Sequence, residues 1–200
     1  MAQYHGSEDD RRGGSAVALS GTSNREQARL TTAPVIRLAT ASDIEAVFRV
    51  NTAAFPDEDV AALVDELRAN GNLTLSLVAE MDGEVVGYVG FSPVTFKPEA
   101  PGIRALQLSP LGVVPARQRQ GIGGMLVREA LSRCREVGVD AVFLLGHSEY
   151  YPRFGFRPAR ELGVHYQDDR DAFMGIELRE GALAGVEARL VLSGEFDRFV

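Results

Sequence analysis

The chain has no tryptophan, one cysteine and three histidines in 200 residues. A lone thiol, Cys134, excludes an intrachain disulfide framework and a cysteine-rich zinc site, and it suits a reducing cytoplasm. His5 lies near the N-terminus, and His147 and His165 lack the cysteine or histidine companions of a zinc site, so no metal is expected. No apolar run approaches the roughly 18 residues needed to span a bilayer, and the N-terminus has no signal-peptide core. Basic residues are in the minority, 21 Lys and Arg against 28 Asp and Glu, and the formal charge of −7 argues against a nucleic-acid partner. These absences point to a cytoplasmic protein with neither membrane nor nucleic acid as partner. The 45% hydrophobic content is enough for one domain with a substantial core.

Residues 1–33 are rich in Gly, Ser, Thr and charge without periodicity, and are expected to form a disordered tail; the domain is expected over 34–200. "VIRLA" reads as a short strand. "TASDIEAVFRVNTAAF" opens a helix with Ser42 or Asp43 as N-cap, and "PDEDVAALVDELRANG" is a second helix ending at Gly71. In "LTLSLVAE", Leu73, Leu75, Leu77 and Ala79 alternate as in a half-buried strand, and Asp82-Gly83 joins it to "EVVGYVGFSPV" as a two-residue hairpin. "RALQLSPLGVV" is another strand, in which Pro110 lacks an N–H and so implies a bulge or an unpaired stretch. From Gly121 to Val137 the period is helical. Leu126, Val127, Ala130, Cys134 and Val137 share one face; Arg128, Glu129, Ser132, Arg135 and Glu136 share the other. "DAVFLLG" suits a strand buried on both faces, which makes a strand-helix-strand crossover, and "FMGIELREGALAGVEARLVL" adds one or two closing strands. Acidic "PDEDV" and "DDRD" read as a dipole-favoured helix start and a solvated loop, and "RRGG" is too short for a nucleic-acid arm.

"PARQRQGIGGML" places Gly121, Gly123 and Gly124 where that third helix begins. The first amides of a helix have no internal acceptor and carry partial positive charge, so bare backbone there suits a phosphate or pyrophosphate. Arg117 and Arg119 add donors at the mouth. A P-loop is excluded because no lysine follows the glycines. A dinucleotide fingerprint is disfavoured because Leu126 stands where its third glycine belongs and Pro115 to Gln120 intervene before the first.

The remaining pattern, Gln/Arg-x-x-Gly-x-Gly after a bulged strand, is met by Gln118, Gly121 and Gly123, with Leu111-Gly112-Val113 before it and Tyr151 with Gly155-Phe156 after it. In these residues the chain resembles the Gcn5-related N-acetyltransferase (GNAT) superfamily. In "LSLVAEMDGEVVGYVGFSPV", "LGVVPARQRQGIG", "LLGHSEYYPRFGF" and "FMGIELREGAL" it resembles that superfamily's YhbS-like branch, from about Val35 to Leu192. The resemblance implies a mixed α/β (α+β) fold of the acyl-CoA N-acyltransferase type: a twisted mixed sheet flanked by helices, with two splayed parallel strands forming the coenzyme A cleft.

It also implies acetyl-CoA as co-substrate and acetyl transfer to an amine by direct attack in a ternary complex. Leu111, Gly112 and Val113 would lie along pantetheine, and the Val113 N–H would polarise the thioester carbonyl, a role worth about 2.7–4 kcal/mol. Gln118, Arg119, Gln120, Gly121, Ile122, Gly123 and Gly124 would surround the pyrophosphate, and Tyr151 would be the general acid. "ALQLSPLGV" lacks the carboxylate that some members use as base. His147, Glu149 and a water beside Ser109 are the candidates in its place. The missing carboxylate also supports an alternative, a non-catalytic acyl-CoA-binding regulatory module; a dinucleotide-dependent oxidoreductase is the other rival. The expected partner is an amine acceptor, small molecule or peptide. A homodimer is common among such proteins, although no surface pattern here specifies an interface.

Overall fold

The computed structural model describes residues 33–55, 59–167 and 171–199, all within the unit Thr32–Val200. Apart from its last residue, the expected tail lies outside them, as do the first three residues of "PDEDV" and most of "DDRD". Strand β1 (Val35–Leu38) is followed by helices α1 (Ile44–Ala54) and α2 (Asp59–Ala69). Asp43 precedes α1 as expected of a cap. Its carboxylate, however, turns back to the Thr40 N–H at 2.8 Å and to the Arg37 guanidinium at 2.7 and 2.8 Å. α2 stops before Gly71, which takes φ 75°.

Strands β2 (Leu75–Met81) and β3 (Glu84–Pro93) form the expected hairpin; Asp82 and Gly83 both hold positive φ, 54° and 81°. β2 differs from expectation in being covered on both sides. Leu77 and Ala79 pack toward the third helix, whereas Val78 packs with Val47 and Val50 of α1. Period-2 alternation marks a half-buried strand only where one face stays wet, and here helices cover both.

A short strand β4 (Thr95–Lys97) leads to β5 (Ala105–Val113). On β5, Leu108 pairs with Phe91 and Leu111 with Val89, so Ser109 and Pro110 together face the single residue Gly90. This is the bulge that Pro110 implied. Helix α3 (Ile122–Glu136) buries Leu126, Val127, Ala130 and Cys134 as expected, but Val137 falls past the last turn and is 49% exposed. Burial pushes the Cys134 thiol up to about 12, which leaves it an inert core residue.

Strand β6 (Ala141–Leu145) lies parallel to β5 and antiparallel to β9 (Phe173–Glu177). Strands β7 (Arg157–Pro158) and β8 (Val164–His165), too short to show a period, and β10 (Ala188–Val191) complete the set. The main sheet runs β1-β2-β3-β5-β6-β9-β7, and β4-β10-β8 form a second sheet. β10 therefore does not close the main sheet. It packs Leu190 with Phe96, Phe143 and Phe173 on the face opposite α3.

The feature that matters for function is a gap. β5 and β6 pair only at Ala105, Leu106 and Gln107, beyond which β5 continues to Val113 while β6 ends at Leu145. The bulge and the missing proline N–H interrupt the ladder there, and the two parallel strands part.

Candidate functional site

Gly121 caps α3 in the left-handed region at φ 86°, where a side chain would be strained, and nothing lies near the place its Cβ would take. The first helical bond runs from the Met125 N–H to the Gly121 carbonyl at 3.0 Å, so the amides of Ile122, Gly123 and Gly124 precede any acceptor within the helix. The other two glycines have reasons the sequence did not reveal. A Cβ on Gly123 would come within 2.9 Å of Tyr150 Oη, and one on Gly124 within 3.3 Å of Arg128 Nη1. Besides baring amides, they let an aromatic ring and an arginine close over the helix start.

Gln118 Nε2 donates to the Val113 carbonyl at 3.0 Å and Gln120 Nε2 to the Ala116 carbonyl at 3.2 Å, so both glutamines tie the loop to itself and to the end of β5. The Val114 N–H donates to the Val86 carbonyl on β3. Successive N–H groups of an extended chain point to opposite edges, which turns the Val113 N–H toward the gap.

A groove of about 720 Å³ runs from the gap over this helix start. Arg117, Arg119, Arg128 and Arg153 line it, and among the described residues it has no Asp or Glu. In a chain of net charge −7 this concentrates positive charge at a helix N-terminus, an arrangement suited to phosphates. Arg153 stacks 4.6 Å from the Tyr150 ring centre and Arg128 5.3 Å from that of Phe154. By charge and period Arg128 reads as solvent-facing, and no sequence pattern singles out Arg153. The spacing Gly124 to Arg128, one helical turn, was the available signal for the first.

A second hollow of about 340 Å³ lies at the gap, lined by Phe55 just after α1, by Val60 and Leu63 of α2 and by Leu190 of β10. The groove and this cavity share three residues: Leu111, His147 and Tyr151. Tyr151 is 8% exposed, edge-on to Tyr150 and Phe156, and burial pushes its phenol up to about 12, with Tyr150 contributing. Its ring passes over Gly146, where a Cβ would come within 2.5 Å of it. Among the candidate bases, Glu149 lines neither hollow, Ser109 lines the cavity, and His147 borders both.

A mixed sheet parted between two parallel strands, with a cationic groove over the helix that follows the bulged strand, is the acyl-CoA N-acyltransferase fold. Comparison with known proteins specifies it further. The family model described as Acetyltransferase (GNAT) family matches residues 42–156. The uncharacterized N-acetyltransferase YhbS of Escherichia coli (strain K12) is 35% identical over 168 residues, 82% of this chain and 99% of that protein. The uncharacterized N-acetyltransferase YjhQ of the same strain is 40% identical over 119 residues, 58% of this chain and 66% of its own length. The crystal structure of Escherichia coli YhbS in complex with CoA superimposes with TM-score 0.79 at 34% identity, covering 84% of this chain and 94% of that one. A GNAT family acetyltransferase from Brucella melitensis in complex with acetyl-CoA gives TM-score 0.69 at 34% identity, covering 82% and 98%. The chain belongs to the acetyltransferase (GNAT) family, and as such is an acyltransferase.

Proposed function

We propose that the protein transfers an acetyl group from acetyl-CoA to an amine by direct attack in a ternary complex. The observation that carries this reading is the junction: an anion-binding groove and an apolar cavity meet at Leu111, His147 and Tyr151. Donor and acceptor can thus enter from opposite sides. That relatives were crystallised with CoA and acetyl-CoA supports the choice of donor.

The residues fit such a donor. The amides at Arg119 to Gly124 and the four arginines hold the pyrophosphate, with Gln118 and Gln120 fixing the loop. Leu111, Gly112 and Val113 offer a strand edge to the pantetheine arm, and the Val113 N–H faces the thioester oxygen. Acetyl-CoA supplies a thioester: the amine nitrogen gains the acetyl carbon, sulfur leaves with the bonding pair, and the proton nitrogen gives up matches the one sulfur takes. Tyr151 Oη faces the departing sulfur. Full transfer from a phenol near 12 to a thiolate of ordinary pKa near 8.5 is uphill by about 5 kcal/mol, so hydrogen-bond donation is its main contribution. His147, which borders both hollows, receives the amine proton in this reading. A reducing cytoplasm completes the reading.

The test is thermal stability with acetyl-CoA, CoA, ATP and NADH, followed by amine turnover read as thiol release. At about 100-fold excess over Kd, acetyl-CoA and CoA are expected to add about 2.7 kcal/mol, and ATP and NADH little. No shift with either CoA species would overturn the reading. A shift without turnover of any amine would leave the non-catalytic acyl-CoA-binding module, which the carboxylate-free β5 favours.

A further inference from the structure

The cavity across the gap has a chemical character that the donor side does not explain. Phe55, Leu63, Phe173, Leu190 and Phe196 line it. Among the described residues that line it there is no Asp, Glu, Lys or Arg. At about 340 Å³ it stands at the small end of ligand cavities.

Gln107 belongs to this lining and occupies the last rung at which β5 and β6 still pair. Its neighbour Leu106 faces the core under α3, so Gln107 faces the opposite side, where the cavity lies. The residue is 7% exposed, and its Oε1 is buried without a hydrogen-bond partner. A buried carbonyl oxygen with no partner is destabilising, and such atoms in folded proteins call for an explanation.

We propose that the acceptor is a small primary amine with an aryl or branched-alkyl body and no second charge, and that the Gln107 carboxamide turns to receive a hydrogen bond from its N–H. The inference rests on the acetyl transfer proposed above and narrows its acceptor. It also accounts for the missing carboxylate base. A lone ammonium among apolar walls is desolvated, which lowers its pKa and favours the neutral, nucleophilic amine. A diamine would have to bury a second charge, and nothing in the described lining pairs with it.

The experiment uses the full chain with acetyl-CoA and compares 2-phenylethylamine, 3-methylbutylamine and 1,4-diaminobutane by thiol release. The expected result is a kcat/KM for the two monoamines about tenfold or more above that for the diamine. Gln107→Leu is expected to raise the KM for 2-phenylethylamine about tenfold with CoA affinity unchanged. Its melting temperature should hold or rise, since a buried orphan polar atom has been removed; a purely structural role for Gln107 would lower it. Preference for the diamine, or an unchanged KM in Gln107→Leu, would overturn the inference. So would CoA-loaded protein that neither turns over 2-phenylethylamine nor binds it in calorimetry. Failure to bind CoA strikes instead at the acetyl-transfer reading, and the inference falls with it.

Discussion

Tyr150 and Tyr151 are neighbours in sequence, and the short helix Tyr151–Phe154 divides them. Tyr150 lies over Gly123 and under Arg153, as part of the groove roof. Tyr151 turns inward over Gly146 to the junction. In "SEYYPRFGF" the resemblance points to Tyr151 as the reacting one and leaves Tyr150 to packing, a reading supported by the position of Tyr151 over Gly146 and its burial, both of which depend on where β6 ends. Tyr151→Phe is expected to lower turnover about 100-fold while CoA affinity stays within about threefold. Unchanged turnover with binding intact would remove Tyr151 from the mechanism. Because its phenol keeps the proton to about 12, loss of that proton produces no falling limb in a rate profile between pH 7 and 10. A falling limb in that range that vanishes in Tyr151→Phe would contradict this.

At the scale of elements, the site is a strand that ends its pairing early and a helix that begins bare. The bulge of β5 was legible because proline cannot donate, and the cap at Gly121 because glycine clusters rarely open helices without cause. What the pattern could not show was the company these elements keep. Arg128 reads as solvent-facing from its period, yet a solvent-facing position on the first turns of α3 is also a position over the groove. Its contribution is testable beside that of Arg153. Replacing both by glutamine is expected to weaken acetyl-CoA binding about 5- to 30-fold, with a reduced dependence on salt. Calorimetry across salt concentrations measures both, and an unchanged Kd would exclude the two side chains from phosphate binding.

For the whole molecule, β1 is held at the sheet edge by charge as well as by pairing. Arg37 bridges Asp43, at the start of α1, and Glu80 on β2 at 2.9 Å. The Arg37 hydrogen bonds, with those from Thr40, hold the Asp43 carboxyl well below the usual carboxylate range. A carboxylate depressed in the folded state contributes stability that is complete above its unfolded pKa near 3.9 and is lost as pH falls through the folded value. Arg37→Ala is accordingly expected to cost about 2 kcal/mol at pH 7, a figure reduced because Arg37 is partly exposed, and progressively less below pH 4. Denaturant titrations at pH 7 and pH 3 check it; an equal cost at both would mean that packing, not charge, is what Arg37 supplies. The sequence by itself determined the elements whose cause is local: the Asp82-Gly83 turn, the inward face of α3, the kink at Pro110 and the glycine-opened helix, because backbone sterics and periodicity act over a few residues. Tertiary structure alone decided that β10 joins a second sheet, that β2 is covered on both faces, and that Gln107, His147 and Tyr151 converge. Those outcomes depend on packing between segments far apart in the chain, where no local pattern carries the information.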